Sequence, residues 1–262
     1  MASRVSEALA EISRRYGLPV DPTAERPPMR RVPTHGTARE LVMARIEAGE
    51  GDMVPQGLLD LAGLTREGLD ASASALARAT VVAGVPEEFR DVPPDRSRLA
   101  AMSADPPRGA WLCGDVGRSK TWTACAWLRA WLSDRPATTA LFATEDSMLG
   151  EVKSAFDRRD VDAEAVLGRY VTADLLVLDD MGKARLSAWG ISQVFRVIDG
   201  RWAGRRPTVF TSQHTLAEWG EVAAQSGVET AKACVSRVYG CCDVIRFDGP
   251  DGRMARAADG RR

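Results

Sequence analysis

The sequence predicts an α/β fold: a doubly wound sheet of five parallel strands with helices on both faces, behind a small helical N-terminal region. Three observations carry the prediction. From about residue 84, short apolar runs alternate with stretches of helical periodicity. The run at 175–178 (Leu-Leu-Val-Leu) is apolar at every position, the pattern of a strand buried on both faces. A glycine-bearing turn at 114–119 joins the first run to the first helix of this region, as in a strand–loop–helix unit.

The elements follow in order. Val5, Leu9, Ile12 and Tyr16 recur at spacings of four, three and four, which predicts a helix that Gly17 ends. Residues 18–36 carry Pro19, Pro22, Pro27, Pro28 and Pro33 and read as a linker. Helices are expected at 38–48 and 56–82, the second broken near 63–65. The expected strands are 110–113, 138–143, 175–178, 207–211 and 244–247. Helices through Ala124, Leu128 and Trp131, and over 148–156, 163–170, 186–202, 215–225 and 228–239, connect them. The chain therefore divides into a helical region at 1–82, a sheet domain at 83–253 and a tail at 254–262. The tail is expected to hold no C-terminal helical lid.

Composition narrows the function classes. Of 262 residues, 45% are hydrophobic and 27% charged, enough apolar material for a substantial core. The 35 basic and 36 acidic residues nearly cancel, so any polyanion must be held by a local patch. No apolar run approaches the ~18 residues of a spanning helix. The charged first 17 residues lack an apolar signal core, which predicts a cytoplasmic protein. Five cysteines with no C-x-x-C pair, beside two histidines, argue against a disulfide framework or a zinc site. Only Lys120, Lys153, Lys183 and Lys232 are lysines, so a lysine in a motif says more here than an arginine.

One lysine stands in such a motif. Gly114, Asp115, Val116, Gly117, Arg118, Ser119, Lys120 and Thr121 form a loop between an apolar run and a helix. Backbone N–H groups of such a loop cradle phosphates, the lysine reaches the β and γ oxygens, and the threonine hydroxyl binds Mg²⁺. The strict pattern has glycine where Ser119 stands. If that position needs a positive φ, the serine costs roughly 1–2 kcal/mol. The competing reading of Ser119 and Thr121 is a plain helix cap.

A second motif lies 59 residues after Lys120. The run 175–178 ends in Asp179 and Asp180, paired carboxylates that repel unless a divalent cation is near. In a nucleotidase the first acid orients Mg²⁺ and the second positions the attacking water. An aspartate ending a strand also commonly starts a turn.

With both motifs in place, the sequence resembles the DnaC/IstB-like AAA+ ATPases, which load replicative helicases or assist transposition. The likeness spans about 84–253. It rests on 84–90 (GVPEEFR), the loop at 114–121, 175–183 (LLVLDDMGK), 187–189 (SAW), 194–199 (VFRVID), Arg201-Trp202, 206–213 (RPTVFTSQ), 236–238 (SRV) and 247–249 (FDG) leading to Arg253. The resemblance implies an AAA+ P-loop core that binds ATP and Mg²⁺. Lys120 would contact phosphate, with Thr121 and Asp179 at the metal and Asp180 at the water. Gln213 would stand at sensor 1, where the family more often has Asn; Arg237 would be an arginine finger serving the next subunit; Arg253 would be a sensor 2 residue.

The resemblance further implies a weak ATPase that self-associates with nucleotide and assembles with a replicative hexameric helicase on single-stranded DNA. A transposase is the alternative partner. An adaptor without hydrolysis, recorded by Ser119 and Gln213, is the alternative of another class. Trp111, Trp122, Trp127 and Trp131 are expected to pack against the sheet rather than stack on bases. His214 is expected to be structural, and Cys241-Cys242 to enter the last strand.

Overall fold

The computed structural model describes residues 42, 54–158, 160–183 and 185–248. The expected helix at 3–16, the linker, all but one residue of the helix at 38–48, the tail and Arg253 lie outside the described residues. Two helices open the described chain, α1 (Gln56–Leu61) and α2 (Arg66–Val82). They divide at Gly63, φ +66°, and the Thr65 side chain caps α2 by accepting the Gly68 N–H at 3.1 Å. The 56–82 segment thus breaks where its glycine and threonine place the break. A 3₁₀ turn (Glu87–Phe89) and the short α3 (Leu99–Met102) lead to the sheet.

The sheet domain reads β1 (Gly109–Cys113), α4 (Lys120–Asp134), β2 (Ala140–Thr144), α5 (Glu145–Phe156), α6 (Ala163–Thr172), β3 (Leu175–Met181), α7 (Ala188–Ala203), β4 (Thr208–Ser212), α8 (Leu216–Ala224), α9 (Val228–Cys241) and β5 (Cys242–Arg246). The five strands are parallel, in the order β2-β3-β4-β1-β5. Both faces are covered, so successive strand residues serve two cores. Trp111, Leu176, Leu178 and Phe210 pack with residues of α5 to α9, among them Met148, Leu167, Val194, Trp219 and Val238. Ala110, Leu112, Leu175, Val177 and Val209 pack on the other face with Ala124, Leu128 and Trp131 of α4. Burying each large apolar side chain contributes about 1.5–3 kcal/mol. Trp111, Trp127 and Trp131 are buried as expected; Cys242 opens the last strand, but Cys241, expected there too, ends α9.

One charge lies inside this scaffold. Arg201, near the end of α7, is 1% exposed. Its Nε donates to Thr208 Oγ1 at 2.7 Å, Nη1 to the carbonyls of Tyr170 (2.8 Å) and Ala173 (2.7 Å), and Nη2 to the Pro207 carbonyl (2.7 Å). Burial pulls the guanidinium down to about 9. It ties the end of α6 and the entry to β4 to α7, which fixes β4 beside β3. Among the described residues no helix is long and apolar enough to cross a membrane.

Candidate nucleotide-binding site

β4 lies between β1 and β3, so the carboxyl ends of these three strands converge on one crevice. After Cys113 the chain turns at Gly114, φ +141°. A Cβ there would lie 2.3 Å from the Phe247 carbonyl oxygen. Phe247 is pinned because its N–H donates to the Cys113 carbonyl at 2.7 Å. Only glycine fits. The loop goes on through Gly117 (φ +76°) to Ser119, at φ +62° and ψ +20°. The serine therefore occupies a left-handed position that glycine would take without strain. Ser119 precedes α4, yet its side chain makes no capping bond.

Lys120 begins α4 and is 8% exposed. Its Nζ donates to the Gly114 and Asp115 carbonyls at 2.7 and 2.8 Å, so the ammonium folds back across the loop. Burial lowers its pKa, against the opposing pull of Asp180 and Asp179. The 15-residue α4 directs its N-terminal N–H groups and dipole to the same place.

β3 runs on to Met181, longer than the expected 175–178, because the strand carries both acids before it stops. Its register with β4 slips between Leu178 and Met181, a bulge that re-aims Asp179 and Asp180. Asp180 adopts φ +58°. Asp179, 6% exposed, accepts from Thr121 Oγ1 at 2.9 Å and from Thr211 Oγ1 at 2.6 Å. Burial raises its pKa, and the two hydroxyl donors partly offset the rise. Thr211 Oγ1 also accepts the Asp180 N–H at 3.0 Å, while the Asp180 carboxylate pairs with Lys183 at 2.6 Å.

Two residues join this group that the sequence reading did not assign. Thr211 of β4 bridges the acids and lies two positions before Gln213, which was the available signal. Glu145, first in α5, is 2% exposed and accepts the Gly182 N–H through Oε2 at 2.9 Å. Its Oε1 is buried without a partner among the described residues. Burial pushes its carboxyl up to about 7. Gly182 is also closed in by Trp219, whose Cδ1 would lie 2.7 Å from an added Cβ. The turn following Asp180 is thus held from two sides.

Gln213 is exposed just past β4 and lines a polar cavity of about 140 Å³ beside the loop, with Asp115, Glu218, Arg246 and Asp248. A larger cavity, about 480 Å³, lies between α5 and the start of α7, away from the loop. The chemistry, not the size, marks the site. The His214 backbone carbonyl accepts Trp111 Nε1–H at 3.1 Å. Arg237 does not join the group; its Nε donates to Asp199 of α7 at 2.8 Å.

The residues fit a magnesium nucleotide better than a resident metal. Among the described residues no set of three His, Cys, Asp or Glu could hold an ion. Thr121 Oγ1 and Asp179 Oδ1, 2.9 Å apart, have the spacing of neighbouring ligands around octahedral Mg²⁺ with bonds of about 2.1 Å. Magnesium bound by so few protein oxygens takes its remaining ligands from phosphates and water.

Strand order, glycine loop and acid pair define an AAA+ P-loop nucleotide-binding core. The chain belongs to the IstB-like ATP binding protein family, whose model matches residues 104–258, more than half of the sequence. A relative from Pseudomonas fluorescens, described as the ATP-binding protein of insertion sequence IS1162, is 34% identical over 102 residues. That match covers 39% of this chain and 42% of the relative, so the chain spans less than half the relative's length. Among solved structures, a protein of Streptococcus pyogenes serotype M3 described as a primosome component shares the fold at a TM-score of 0.51 and 18% identity. The match covers 67% of this chain and 96% of that one. The DnaC helicase loader superposes with a TM-score of 0.48 at 22% identity, covering 58% and 85% of the two chains.

Proposed function

We propose that this chain binds ATP·Mg²⁺ at 114–121, hydrolyses it slowly, and uses the nucleotide to control assembly with a DNA-bound partner. In this reading the loop amides and Lys120 neutralise the phosphates, Thr121 and Asp179 hold the cation, and Asp180 orients the attacking water. The cation would neutralise charge on the transferred phosphoryl group. The arrangement of Thr121, Thr211 and Asp179 is the single observation that carries the reading. Two hydroxyls, one from the first turn of α4 and one from the end of β4, converge on one buried carboxylate, beside a lysine already seated at a helix N-terminus. Gln213, longer than asparagine by one bond, would lie near the γ-phosphate and contribute to slow turnover.

Two partners compete. A replicative hexameric helicase placed on single-stranded DNA is the expectation from motif resemblance. A transposase gains support from the insertion-sequence relative, and we place it first. Turnover with and without single- and double-stranded DNA, in wild type and Asp180→Asn, tests the enzyme reading. A slow, DNA-stimulated wild-type rate that Asp180→Asn removes supports it; equal rates contradict it. Capture of a transposase rather than a hexameric helicase, in ATP only, supports the first partner, and the reverse supports the second.

A further inference from the structure

The inference rests on the reading that Arg237 acts on a nucleotide held by a neighbouring copy, and it adds two residues to that action. Arg237 lies on α9, its side chain 35% exposed. Its Nε donates to Asp199 Oδ1 at 2.8 Å, and its guanidinium carbon sits 4.1 Å from the centre of the Trp202 ring. Asp199 and Trp202 are three residues apart on α7 and so share a face. Trp202 is itself 43% exposed, although large aromatic rings are usually buried.

Topology keeps this cluster from its own chain's loop. α7 begins just past the acid turn and runs back to the start of β4. Asp199 is 11 residues along it, about 16 Å from the carboxyl edge at 1.5 Å per residue. A paired arginine often engages a carboxylate through two nitrogens. Here Asp199 takes only Nε, and the terminal nitrogens have no hydrogen bond among the described residues. The indole stack fixes the guanidinium plane. A side chain held in this way has less freedom to lose on meeting a phosphate.

We propose that Asp199 and Trp202 are positioning residues that hold Arg237 ready for the nucleotide of the adjoining subunit. The test is ATP·Mg²⁺ turnover by the full chain across protein concentration. Asp199→Ala is expected to lower kcat about 10- to 100-fold with KM nearly unchanged. Trp202→Ala is expected to lower it about tenfold, with Trp202→Phe restoring most of the loss because a ring face remains. On an Arg237→Ala background neither change should lower turnover further.

Mixing Asp199→Ala with Asp180→Asn chains should recover activity. The first supplies an intact acid pair and the second an intact arginine, and recovery also proves that Asp199→Ala folds. Wild-type kcat in Asp199→Ala and Trp202→Ala, with Arg237→Ala impaired, would overturn the proposal. So would added loss on the Arg237→Ala background, or a mixture that stays inactive. Wild-type turnover in Arg237→Ala, or none in wild type at any concentration, would instead overturn the underlying reading and this proposal with it.

Discussion

Arg201 and Lys120 are buried cations at opposite edges of the same sheet, and the protein satisfies them differently. Arg201 meets four carbonyls and a hydroxyl, the Val171 carbonyl at 3.3 Å and the others at 2.7–2.8 Å. Lys120 rests on two carbonyls of a strained loop, with Asp179 and Asp180 near enough to raise its pKa against burial. The first environment is complete within the chain. The second gathers charges of both signs that an anion and a cation together would balance. Among the described residues, two of the three non-glycine residues with positive φ, Ser119 and Asp180, sit at that second edge; the third, Arg205, only turns the chain after α7. Strain beside partly compensated charge separates site from scaffold.

Arg201→Met should sharpen the contrast most. Orphaning several buried acceptors should cost at least about 3 kcal/mol, read from denaturant midpoints. ATP affinity of the folded protein should change little. Loss of ATP binding without loss of stability would erase the distinction between the edges.

Glu145→Gln comes next and depends on pH. In the folded chain the Glu145 carboxyl stays neutral up to about 7, whereas unfolded it ionises near the ordinary 4.5. The folded state then holds the extra proton, so wild-type stability falls as pH rises from about 4.5 to about 7. The glutamine variant does not titrate there and should gain on wild type across that window, by up to about 3 kcal/mol. Unfolding curves on both sides of the window check this; parallel curves would mean that Glu145 is ionised when folded.

Ser119→Gly is expected to have the smallest effect. Release of the left-handed strain, about 1–2 kcal/mol, is partly offset by glycine's backbone entropy of about 0.5–1 kcal/mol. A slight rise in stability and a few-fold tighter ATP should result, measured by thermal unfolding and nucleotide titration. Weaker ATP would mean that the serine hydroxyl itself serves the ligand.

The loop and the acid pair were legible in sequence because each is a continuous string whose spacing is set by local backbone geometry. The five strands were legible for a related reason: buried parallel strands are apolar runs bounded by turns. The bridge from Thr211 to Asp179 was not, since it depends on β4 inserting between β1 and β3, a matter of strand order. Glu145 was hidden more thoroughly. It follows a capping threonine in the first turn of α5, where an acidic residue is ordinary, and only the fold turns it inward against Gly182. The bond between Asp199 and Arg237 likewise spans 38 residues and leaves no periodic trace.

Lys120 carries the nucleotide reading most directly. Titration of wild type and Lys120→Ala with ATP, each with and without Mg²⁺, should give saturable, magnesium-enhanced binding that the substitution weakens at least about 100-fold, or about 2.7 kcal/mol. Equal affinities in the two proteins would contradict it.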